Sequence, residues 1–171
     1  MNDVYCEYMV KRKTGTWGLF CRLFVVMATV LAMFFGFIAL QFYGLFGGLL
    51  LIYLSYYVFK NTDIEYEYQF ISGQLDIDVI FAKKKRKKAR KFDIRSVEVF
   101  APLNHDVFKQ YGKQGDGKKY KVVDYSSGYA DRERYAFIVS MGENGIAKVI
   151  FEPNDKMVEA IRTHIPSKMP R

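Results

Sequence analysis

Nine consecutive residues, Lys83 to Lys91 (KKKRKKARK), hold eight of the chain's 26 basic side chains and form the stretch best equipped to do chemistry. That chemistry is electrostatic. The run contains no aromatic residue on which a base could stack, so nucleic acid is not its expected partner. Anionic phospholipid headgroups are, at about 1 kcal/mol per basic residue held near the surface and less in high salt. Lipid binding is therefore assigned to Lys83, Lys84, Lys85, Arg86, Lys87, Lys88, Arg90 and Lys91, all expected on a turn. The competing assignment is a solvated turn whose charge only reinforces topology.

The other constellations fail on spacing or on partner type. Gly112 to Lys118 matches the first seven positions of a phosphate-binding loop. Lys119, however, stands where Ser or Thr should hold magnesium, and Tyr120-Lys121-Val122 continues as a strand where the motif needs a helix N-terminus. Asp76 and Asp78 share one face of a strand pattern with no His or Cys to complete a metal set or an acid–base pair, and they read as solvent-facing carboxylates. His105 and His164 have no ligand spacing. Ser126-Ser127-Gly128 lacks the pattern of a nucleophile elbow. Cys6 and Cys21 make no disulfide framework, and Cys21 reads as an apolar residue at a membrane edge. The expectation is a protein that is not an enzyme, with no catalytic residue, metal or cofactor.

What must position the basic run is an apolar stretch, Leu23 to Phe59, without one formal charge. Leu23 to Leu40 makes about 27 Å of helix, close to the thickness of a bilayer core, and Gly44 to Phe59 a shorter second pass of about 24 Å. Gln41 to Gly44 supplies the turn between them. Small residues at four-residue spacing, Ala28, Ala32 and Gly36 on the first helix and Gly44 and Gly48 on the second, are the expected packing faces of a two-helix hairpin. Lys11, Arg12, Lys13 and Arg22 precede it, Lys60 follows it, and the turn has no Lys or Arg, so both termini are expected in the cytoplasm of a cell-membrane protein. A cleaved signal peptide is not expected, because no A-x-A site follows the first segment and a second apolar segment comes at once.

Charge divides along the same boundary. The net charge is +8, yet without Lys83 to Lys91 residues 61–171 would hold 13 basic against 16 acidic side chains. The basicity is therefore a local patch. We read residues 1–17 as a cytoplasmic segment with a brief interfacial helix, 18–60 as the hairpin, and 61–171 as one cytoplasmic domain.

Within that domain the hydrophobic period is two. Tyr66, Tyr68 and Phe70 alternate with Glu65, Glu67 and Gln69, and Leu75, Ile77, Val79 and Phe81 alternate with Asp76 and Asp78 across a Ser72-Gly73 turn. A bulge or bend is expected at Arg95-Ser96, a helical turn near Val107 to Tyr111, and strands over Tyr120–Tyr125, Arg134–Met141 and Ile146–Phe151. Asn154 caps a last helix with Met157, Val158, Ile161 and Ile165 on one face.

The succession of membrane hairpin, strand hairpin and basic turn, then Lys91-Phe92-Asp93-Ile94-Arg95-Ser96-Val97-Glu98-Val99 and Val149-Ile150-Phe151-Glu152-Pro153 before a final helix, resembles bacterial pleckstrin-homology-like membrane proteins. More narrowly it is similar to a group of small clostridial two-span membrane proteins with a domain of unknown function. The resemblance implies a PH-like split barrel of about seven antiparallel strands capped by the C-terminal helix. In lipid-binding eukaryotic relatives the basic site surrounds the first hairpin turn; here Ser72-Gly73-Gln74 carries no basic residue, so phosphoinositide-type recognition does not carry over. The expected function is a membrane-anchored interaction module that binds a protein partner or organises an assembly at the inner leaflet. The alternative is an accessory subunit of a membrane enzyme or transporter.

Overall fold

The computed structural model describes residues 5–40, 42–111, 120–140 and 145–170. The chain divides into two compact units, residues 13–65 with 80–86, and residues 1–12 with 66–79 and 87–171.

The first unit is built on two helices, α1 (Thr16–Leu40) and α2 (Phe42–Thr62). Among the described residues one helix, over Thr16–Ala39, is long and apolar enough to cross a membrane. The helices pack along Val25, Thr29 and Met33 of α1 and Gly48, Leu51 and Ser55 of α2, the residues withdrawn from the surface. A Cβ on Gly48 would lie 2.6 Å from Met33 Cγ, so the glycine is what admits the Met33 side chain. The hydroxyls of Thr29 and Ser55 lie 3.1 Å apart, one able to donate to the other, and each is also within donating distance of a carbonyl of its own helix, Val25 O and Leu51 O. Of the expected Ala28–Ala32–Gly36 stripe, Ala28 and Gly36 are half-buried to the same degree as Val25 and Met33, and Ala32 is exposed. Gln41 and the surroundings of Gly44 lie outside the described residues. Leu23, Phe24, Phe34, Ile38, Leu49 and Leu50 all face outward. Such a continuous apolar exterior is stable in hydrocarbon and a liability in water.

The second unit is mostly β. One sheet has the order β1-β2-β3-β4, from β1 (Tyr5–Lys11), β2 (Ile64–Ile71), β3 (Gln74–Phe81) and β4 (Lys85–Asp93). The other has the order β5-β7-β8-β6, from β5 (Val99–Pro102), β6 (Tyr120–Asp124), β7 (Tyr135–Ser140) and β8 (Ile146–Phe151). Aromatic contacts join the two: Tyr68 meets Phe151, and Phe92 meets Phe137, edge to face at 5.6 and 5.1 Å between centroids. A short helix α3 (Val107–Tyr111) lays Phe108 on the outer side of the second sheet, against Val99, Ala101, Ala136 and Ile138. The last helix, α4 (Asp155–His164), is started by Asn154, whose side chain accepts from the Met157 N–H at 2.9 Å, and it buries Met157 and Ile161 fully.

Several expectations are corrected. The N-terminal segment is a strand, because Cys6, Tyr8 and Val10 turn inward while Tyr5, Glu7, Met9 and Lys11 stay out, a period of two that no helix can satisfy. The strands number eight among the described residues, in two sheets that do not close into a barrel, and they are not all antiparallel. β6 runs parallel to β8, as it must when both run opposite to the β7 that separates them in sequence. Of the bulge or bend expected at Arg95-Ser96 the chain takes the bend, a 3₁₀ turn over Ile94–Ser96 with Asp93 accepting from the Arg95 N–H. Glu65, Glu67 and Asp78 are buried rather than solvent-facing, on the two inner strands of their sheet. The connection between β7 and β8 at residues 141–144 and the segment Gly112 to Lys118 lie outside the described residues.

Candidate interaction surface

The basic run is mostly strand. The chain reverses at Ala82-Lys83, where both residues have positive φ, +48° and +56°, and the Lys84 N–H donates to Phe81 O at 3.0 Å. That is the backbone of a two-residue hairpin turn, normally marked by Asn-Gly. With neither residue present the turn gave no sequence signal, and from Lys85 onward the chain is β4. Lys83, Lys84, Lys85, Arg86, Lys87, Lys88, Arg90 and Lys91 are all exposed. Lys91 Nζ lies 3.0 Å from Asp76 Oδ2 on the neighbouring β3.

The turn also has an anchor. The Ala82 N–H donates to the Asp63 carbonyl at 2.8 Å, one residue beyond the end of α2. Residues 80–86 therefore fold with the helix pair. At the same end Arg22 donates to Thr62 Oγ1 at 2.7 Å and stands 5.2 Å from the Phe59 ring centroid. Lys13, Lys60, Lys83, Lys84, Lys85 and Arg86 belong to the same unit.

The β unit carries two features that the sequence did not single out. Arg132 donates to Glu152 Oε1 at 3.1 Å, and the Ser127 N–H donates to the other carboxylate oxygen at 3.1 Å. Glu152 is 4 % exposed while Arg132 is half out. The carboxylate raises the guanidinium's proton affinity through this bond. Arg132, Glu133 and Tyr135 are shared by two shallow clefts, one of about 350 Å³ completed by Pro102, Leu103, Asn104 and Asp131, the other of about 290 Å³ completed by Tyr8, Glu152, Pro153 and Asp155. A pair twenty residues apart in a polar connection leaves no local pattern to read.

The second is the surroundings of the β2–β3 turn. Arg95 and His164 approach Gly73, the Ile94 N–H donates to Gly73 O at 2.9 Å, and Lys168 Nζ donates to Arg95 O at 2.5 Å. The turn itself has no basic residue, but two distant segments bring Arg95 and His164 to it. Asp93 neutralises part of that charge: its bonds from the Arg95 side chain and backbone hold its carboxyl below the usual range.

The remaining candidates serve the fold. His105 Nδ1 accepts from the Val107 N–H at 3.2 Å at the start of α3, and the His164 ring packs edge-on against Phe70. Burial pushes the Tyr68 hydroxyl's pKa up, and that hydroxyl donates to Tyr125 O. Lys148, its pKa pushed down by desolvation, lies 4.2 Å from the Phe108 ring centroid. Among the described residues no group of three or more His, Cys, Asp or Glu side chains is placed to hold a metal ion.

No curated protein and no solved structure matches the chain. The family model described as bacterial PH-like domain (DUF6106) matches residues 2–171, and a match over nearly every residue establishes that the chain belongs to the bacterial PH-like domain family.

Proposed function

We propose that this is a membrane-anchored, non-enzymatic interaction protein of the inner leaflet. α1 and α2 cross the bilayer as a two-span hairpin with both termini in the cytoplasm, the arrangement of the small clostridial two-span proteins it resembles. The β3–β4 tip rests on anionic headgroups, and the β unit offers its surface to a protein partner. One observation carries the reading: the hydrogen bond from Ala82 to Asp63 fastens the tip to the exit of α2, so Lys83 to Arg86 fold with the same end of the helix pair as Arg22 and Lys60. Basic residues gathered at one end of an apolar helix pair are what a negatively charged inner leaflet holds in place.

Impermeant thiol labelling in intact cells tests the topology, in a chain lacking Cys6 and Cys21. A cysteine replacing Tyr43 should label and one replacing Lys84 should not. A labelled Lys84 site or an unlabelled Tyr43 site contradicts the two-span orientation.

A further inference from the structure

We propose that the Lys87–Lys91 segment of β4 is a docking edge for an extended acidic peptide, which joins the first sheet as an added strand. The inference rests on the interaction-module reading and gives the partner a chemistry. β4 ends its sheet and among the described residues pairs with β3 alone. A terminal strand leaves backbone N–H and C=O groups directed outward along its length, a template for a further strand. Here both faces of the template are charged alike. Lys87 and Lys91 stand on one face and Lys88 on the other, all exposed, and no ion pair engages Lys87 or Lys88 among the described residues.

Charge selects the occupant. A second copy of β4, or any basic strand, would set like charges opposite one another, which weakens pairing. A strand rich in Asp or Glu meets opposite charge on either face and pairs its backbone as well. The open strand edge favours a peptide over lipid for this segment. Lys83 to Arg86 fold with the helix pair and Lys87 to Lys91 with the β unit. A headgroup uses only the ammonium groups, whereas an extended peptide uses the strand edge too.

The experiment uses the full chain in nanodiscs of neutral phosphatidylcholine and a labelled seven-residue peptide alternating Glu and Val. Its control has Pro in place of every Val, with equal charge and fewer N–H donors. The Glu–Val peptide should bind at least ten-fold tighter than the Glu–Pro peptide. Lys87→Ser/Lys88→Ser/Lys91→Ser should remove at least ten-fold of that affinity, and Lys83→Ser/Lys84→Ser less than two-fold. Equal affinity for the two peptides, or binding of neither, overturns the proposal without requiring any variant to fold. So does a Lys87/Lys88/Lys91 variant that keeps its peptide affinity, or one that, in a second set of nanodiscs containing phosphatidylglycerol, loses anionic-lipid contact as fully as the Lys83/Lys84 variant, since the segment would then be a lipid surface. Loss of tip contact in the unaltered chain with peptide binding intact would instead strike only the membrane reading.

Discussion

The first sheet turns twice with nearly the same backbone and in opposite surroundings. Ser72-Gly73 takes φ of +48° and +91°, and Ala82-Lys83 takes +48° and +56°. The first turn is enclosed: a Cβ on Gly73 would come within 3.4 Å of His164 Cδ2 and 3.5 Å of Arg95 Nε. The second is tied to Asp63 through the Ala82 N–H, and Lys83 is exposed. A left-handed residue other than glycine costs on the order of 1 kcal/mol. The enclosed turn avoids that cost at its second position with glycine, while the exposed one keeps the strain at a position where glycine would remove a charge. The difference separates a turn shaped by packing from a turn shaped by what it carries.

Substitutions can break or sharpen that contrast. The largest effect is expected from Gly73→Val, which combines a β-branched side chain at φ +91° with crowding against His164 and Arg95. It should lower stability by about 2–3 kcal/mol, seen as a lower thermal midpoint. An unchanged midpoint would mean the first turn is no more constrained than the second. Lys83→Gly should act in the opposite direction, raising stability by about 0.5–1 kcal/mol in a denaturant series while weakening attraction to anionic lipid. Destabilisation by this substitution would show that Lys83 makes a contact the strain argument ignores.

Smaller again is Lys91→Ala, which removes the exposed pair with Asp76 and should cost well under about 1 kcal/mol. The smallest is a pH effect beside the first turn. The Asp93 carboxyl is held low by Arg95, so its contribution is present above the unfolded value of about 4 and is lost as pH falls through the lower folded value. Asp93→Asn should flatten the acid limb of the stability curve slightly, and an unchanged limb would detach Asp93 from the turn.

The same contrast explains what was legible. Ser72-Gly73 announced itself by residue type, as did the alternation of Tyr66, Tyr68 and Phe70 and the Asn154 cap, because each follows from local geometry. Ala82-Lys83 did not, so the basic run was expected on a turn although most of it is an edge strand. An edge strand with both faces open has no period to display. Glu67 and Asp78 looked solvent-facing because alternation reports the face of a sheet, not what later covers it. The Arg132–Glu152 pair, the approach of Arg95 and His164 to Gly73 and the bond from Lys168 to Arg95 O depend on long-range closure, for which a single sequence holds no signal. The eight basic residues were visible from the start; their division between two units was not.

The most direct test of the membrane reading places an environment-sensitive fluorophore on a cysteine replacing Lys84, with Cys6 and Cys21 removed, in the full chain reconstituted into vesicles. Contact of the tip with the leaflet predicts a blue shift in vesicles containing phosphatidylglycerol. The shift should be absent in pure phosphatidylcholine and reversed by raising salt from about 0.1 M to about 1 M, as the Debye length falls from about 10 Å to about 3 Å. An identical spectrum in the two lipids at low salt would contradict the account and leave the tip a solvated charge.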